Sequence, residues 1–184
     1  MKGVPSMKSK LLALICILLI PFVLGACNAY PKEPSQDFTL EFRYGVGAKN
    51  ILDTSNGKYK KDMVVEESII IDLELSKEQL AEIREKMIEI HFFNYPDEFS
   101  SKPNILMSLL RLPNAPTIGE YEPFSSYYFM VRDGGRTKQL HWDDKYINDS
   151  LEVQQLRELI QLIEDMIHSS PEYKELPEPR GGYL

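Results

Sequence analysis

Apolar and polar residues alternate over "DFTLEFRYG": Phe38, Leu40, Phe42 and Tyr44 fall on one face, Thr39, Glu41 and Arg43 on the other. That period predicts a half-buried strand. "GVG" breaks it, and "NILDT" predicts a second short strand. Asn56-Gly57 marks a hairpin turn. "SIIIDLEL" predicts another strand, with Ile69, Ile71, Leu73 and Leu75 inward. The period then lengthens to that of a helix: Leu80, Ile83, Met87 and Ile90 form one stripe. Ser76 and Gln79 make a capping box, and Leu75 with Leu80 a hydrophobic staple. Pro96 forbids the helix to resume. "SYYFMVRDGGRTKQLHW" predicts a hairpin turning at Gly134-Gly135, which sets Phe129 opposite Leu140 and Tyr127 opposite Trp142. Its other face carries Tyr128 beside His141 and Met130 beside Gln139. A second helix, capped by Asp149 or Ser150, has the stripe Val153, Leu156, Ile160, Ile163 and Ile167, and Pro171 lies beyond its end.

The order strands, helix, hairpin, helix predicts an α+β domain over residues 37–184: an antiparallel sheet of about five strands, with two amphipathic helices packed on one face. Residues 96–126, with five prolines, read as an irregular insertion, either a lineage-specific surface feature or a functional segment. Residues 169–184 read as a Pro- and Gly-rich tail.

Ahead of the domain, "LLALICILLIPFVLGA" is shorter than the ~20 apolar residues a spanning helix needs, and Pro21 interrupts it. It follows a basic stretch with Lys2, Lys8 and Lys10 and no acid. This pattern describes a secretory leader. Leu24-Gly25-Ala26-Cys27 resembles the lipobox of bacterial lipoproteins. The resemblance implies removal of residues 1–26, a diacylglyceryl thioether on Cys27, and acylation of its freed amine by a chain such as palmitate. Two acyl chains anchor stably where one is marginal. Residues 27–36 then form a polar tether. The only other cysteine, Cys16, lies in the leader, which leaves no thiol for a disulfide, metal or nucleophile. The chain also resembles small uncharacterised lipoproteins of Gram-positive bacilli in "FRYGVGAKNILDT", "NGKYKKDM", "LSKEQLAEIREKMIEIHFFNYP" and "PEYKELPEPRGGYL". That resemblance implies localisation on the outer side of the cell membrane and no particular activity.

A formal charge of −7, before loss of the three leader lysines, argues against nucleic-acid binding. Attachment to the membrane therefore falls to the lipid. Of three histidines, His91 and His168 suit helix ends. His141 sits on a strand near Asp143 and Asp144, where acid–base work is conceivable in a cell-envelope hydrolase. No catalytic residue is assigned. "DDKYINDSLE" lacks the glycine and spacing of a Ca²⁺ loop, and no glycine cluster has phosphate-binding spacing, so neither metal nor cofactor is expected. The ten tyrosines are a better lead, among them Tyr121, Tyr127, Tyr128, Tyr146 and Tyr183. Helices on the inner sheet face leave Tyr128, Met130 and His141 as a candidate binding face for a protein or peptide. If 96–126 folds over them they become a minicore, and if not, the floor of a groove. The expected role is a non-enzymatic binding or interaction module, or else a purely structural lipoprotein.

Overall fold

In a computed structural model of the protein, residues 37–102 and 122–183 are described, and they belong to one compact unit. The leader, Cys27, the tether, Tyr121 and most of the expected insertion lie outside the described residues. The strands are β1 (Thr39–Tyr44), β2 (Asn50–Asp53), β3 (Lys58–Lys61), β4 (Ile69–Asp72), β5 (Glu98–Phe99), β6 (Ser126–Asp133) and β7 (Arg136–Asp143). The helices are α1 (Lys77–Glu89), α2 (Leu151–Ser169) and α3 (Pro171–Lys174).

The α+β class is as read, but the details differ. Among the described residues the sheet has seven strands in the order β4-β3-β2-β1-β6-β7-β5, and β5 runs parallel to β7. The two strands beyond the expected five have plain reasons for hiding. In β3, "KYKK", lysine stems flank one aromatic, a composition that reads as a solvated loop. The two residues of β5 carry no period at all, and they convert part of the expected insertion into a sheet edge. A third helix also forms, because Ser170 accepts a hydrogen bond from the Tyr173 amide and Pro171 takes the first helical position.

The expected alternation in β1 holds: Phe38, Leu40, Phe42 and Tyr44 are all buried. The β6–β7 register also holds residue for residue, with Phe129 opposite Leu140 and Tyr127 opposite Trp142. Gly134 and Gly135 both have positive φ, 55° and 80°, as a tight right-twisted hairpin requires. Helix α1 starts on the expected capping box, with Ser76 Oγ accepting from the Gln79 amide at 3.2 Å and Gln79 Oε1 from the Ser76 amide at 2.8 Å. Its stripe and that of α2 join the inner-face strand residues in one core around Phe42, Phe92, Phe129 and Trp142. Ile70 on β4 stays exposed, as alternation demands, while Ile71 packs on the core.

One buried ion pair ties α1 to the hairpin. Arg84 Nε donates to both Asp133 carboxylate oxygens, at 3.0 and 3.1 Å, and Arg136 joins from the turn at 3.2 Å. On the other flank, Arg157 of α2 donates through Nε and Nη2 to the two oxygens of Asp144, at 2.9 and 2.8 Å. The stretch "DDKYINDSLE", which lacks the pattern of a Ca²⁺ loop, is thus tied to α2 through Asp144.

Candidate outer-face site

All strand residues in the core come from the inner face. The alternate residues form the outer face, and the strand register aligns them into rows. One row crosses the whole sheet: Ile70, Lys60, Ile51, Arg43, Tyr128, His141 and Glu98. The next row contains Asp72, Lys58, Asp53, Glu41, Met130 and Gln139. Tyr128, Met130 and His141 are thus adjacent, as expected, and each is half-buried.

The contacts within these rows are mostly electrostatic. The Arg43 guanidinium lies 5.4 Å from the Tyr128 ring centroid and donates from Nε to Glu41 at 2.6 Å. Lys58 pairs with Asp72 at 2.5 Å. His141 sits between two acids, with Nδ1 2.9 Å from Glu98 Oε2 and Nε2 3.5 Å from Asp143 Oδ1. These become ion pairs when the imidazole is protonated. Ser126 completes the cluster by donating to Asp143 Oδ1 at 2.7 Å.

The order of these groups matters chemically. A nucleophilic serine needs the imidazole against its hydroxyl and the carboxylate behind the imidazole. Here Ser126 donates to the carboxylate itself. None of three clefts, at Lys86–Glu158, at His91–Phe99 and at Gly47–Phe124, is lined by His141. Among the described residues, no group of three or more His, Cys, Asp or Glu side chains is placed to hold a metal ion.

The other expected histidines behave as helix-end residues. His91 follows α1 in the left-handed conformation with φ 55°, and His168 packs its ring 4.6 Å from that of Tyr173. Burial lowers the His168 pKa. Sequence reasoning missed Arg43, Glu98 and Lys60 as members of the outer row. Alternation in β1 already put Arg43 on the polar face, but no local signal reveals which strand lies beside which.

A second ionisable cluster lies on the inner side. The buried hydroxyls of Tyr44 and Tyr59 share a hydrogen bond at 2.6 Å. Burial raises the pKa of both phenols, and Glu164 of α2 adds to it. Glu164 is itself pushed up to about 7, mainly by burial and then by Asp165.

Fold and face together define a small α+β domain whose helices pack on the inner face of the sheet. Among the described residues, no helix is long and apolar enough to cross a membrane. The chain matches no family model, and no curated protein is similar to it.

Proposed function

We propose that the protein is a lipid-anchored extracytoplasmic binding module without catalytic activity, attached through Cys27 and recognising a protein or peptide partner with the outer sheet face. The basic, apolar leader and its Leu24–Cys27 motif support the anchor. The observation that carries the binding reading is the row Arg43–Tyr128–His141–Glu98, which sets a cation, an aromatic ring, an imidazole and an acid side by side. Tyrosine and arginine are the residue types that dominate recognition surfaces. The Ser126–Asp143–His141 order argues against a serine nucleophile, one form of the alternative, a cell-envelope hydrolase using His141 and nearby acids.

The test is the double variant Tyr128→Ala/His141→Ala. Half-buried outer-face groups should cost less than ~1 kcal/mol of stability on removal. Co-purification of a partner from detergent-solubilised membranes should fall sharply. A loss of several kcal/mol would make the face a buried minicore, and undiminished capture by a stable double variant would move recognition elsewhere.

A further inference from the structure

Beyond α3 the chain reads "ELPEPRGGY", and Pro177, Pro179, Gly181 and Gly182 keep it out of helix and strand. The segment is nevertheless held at defined points. Leu176 packs against the core. The Pro177 carbonyl accepts a hydrogen bond from Lys61 Nζ at 3.0 Å, and the same ammonium lies 4.6 Å from the Tyr173 ring centroid. Arg180 makes a single parallel bridge to Val64, and its guanidinium lies 3.4 Å from Glu66. The Tyr183 hydroxyl donates to Asp62 and accepts from Lys49 Nζ at 3.1 Å.

The two sides of this contact differ in kind. The receiving side is built into the fold. Lys61 is a lysine on the inner sheet face, its side chain only 4% exposed, and a buried ammonium is costly unless an acceptor meets it. Val64 is held at φ 64°, a strained conformation for a β-branched residue, in a three-residue turn closed by the Val65 amide and the Met63 carbonyl at 2.8 Å. The received side is an extended peptide whose Glu175, Pro177, Glu178, Arg180, Gly181 and Gly182 are exposed. A segment with so few buried apolar contacts opens locally at small cost.

We propose that Glu175–Tyr183 is an internal ligand: it fills a groove for extended, proline-containing peptides formed by Lys61, Lys49, Asp62 and the Val64 turn, and a partner peptide of the same pattern displaces it. The ammonium takes a backbone carbonyl, the Val64 edge takes one strand-like bridge, and the Lys49–Asp62 pair takes a phenol. Extended peptides are bound by this combination of main-chain bonds and spaced side-chain anchors. The groove stands on Lys49 before β2, Lys61 of β3 and the turn that follows it, none of which belongs to the Arg43–Tyr128–His141–Glu98 stretch. Failure at either surface therefore leaves the other unaffected.

While the internal segment is seated, its occupancy lowers the apparent affinity for any competitor by the closed fraction. The probe is a fluorescein-labelled synthetic peptide, ELPEPRGGY, titrated against the full chain and against Arg180→Ala/Tyr183→Ala, which removes two anchors and leaves every groove residue in place. The variant should bind at least about tenfold more tightly than the wild type, and adding Lys61→Met should abolish the gain. A second measurement needs no variant: in the wild type, amide exchange at Leu176 and Gly182 should be far faster than at Leu40 or Phe42 of β1. Equal binding by wild type and variant, equal binding of a scrambled peptide, or exchange at Leu176 and Gly182 as slow as in β1 overturns the proposal. So does a variant that dimerises by exchanging this segment without gaining affinity for the peptide.

Discussion

Two side chains show what burial does to charge. Arg84 and Asp133 are both buried as a pair, and Arg136 meets the same carboxylate. Asp133→Ala leaves the guanidinium in the core without its carboxylate and should cost about 3–5 kcal/mol, whereas Arg84→Met with Asp133→Leu, which removes both charges, should cost much less. Urea unfolding of the two variants checks this. Glu164 makes the same point through pH. Its carboxyl is raised from 4.5 to about 7. The folded state thus favours the protonated form, so its contribution is fully present below pH 4.5 and lost as pH rises through about 7. Discounted for partial exposure, the loss should be roughly 2 kcal/mol. Glu164→Gln should flatten the fall in melting temperature between pH 5 and pH 8 and melt higher than wild type at pH 8. Neither effect was legible in the sequence. Arg84 lies beside Ile83 and looks like a solvated helix residue, and Glu164 lies among the polar positions of α2.

At the scale of elements, local chemistry and local structure agree closely. The capping box at Ser76 forms as its spacing demands, and Ser76→Ala should destabilise the protein by about 1 kcal/mol, measured as a shift in the thermal midpoint. Gly135→Ala should cost a similar ~1–2 kcal/mol, because nothing crowds the site but φ is 80°. The β6–β7 pairing was readable because a two-residue turn leaves one register. Elements whose signal is long range were not readable. The partner of β5 is β7, about forty residues on, and β3 is a strand because β2 and β4 flank it. Period-two alternation in four lysine-rich residues carries too little information to announce that.

For the whole molecule, the anchor and the domain make separate predictions. Intact-mass measurement of membrane-extracted protein should show loss of residues 1–26 and gain of acyl mass on Cys27, and Cys27→Ala should leave the precursor unprocessed or shed the domain. A soluble wild-type chain still starting at Met1 would refute the anchor. The core draws on both large helices and the inner sheet face, so the melt should be cooperative and indifferent to chelator and reductant. A large fall in midpoint with EDTA would reveal a metal site. The sequence by itself determined which residues of β1, β6, β7, α1 and α2 turn inward, where the hairpin turns, and where α1 begins, because periodicity, turn chemistry and capping act over a few residues. It carried equally the expectation of an anchor at Cys27, which rests on a linear motif. Only the tertiary structure decided the strand order, and with it the outer row that joins Arg43 to Tyr128, His141 and Glu98. Only the tertiary structure brought Arg84 to Asp133 and "ELPEPRGGY" back onto Lys61. These contacts join residues far apart in the chain, and their energy comes from burial and charge pairing that exist only once the strands have assembled.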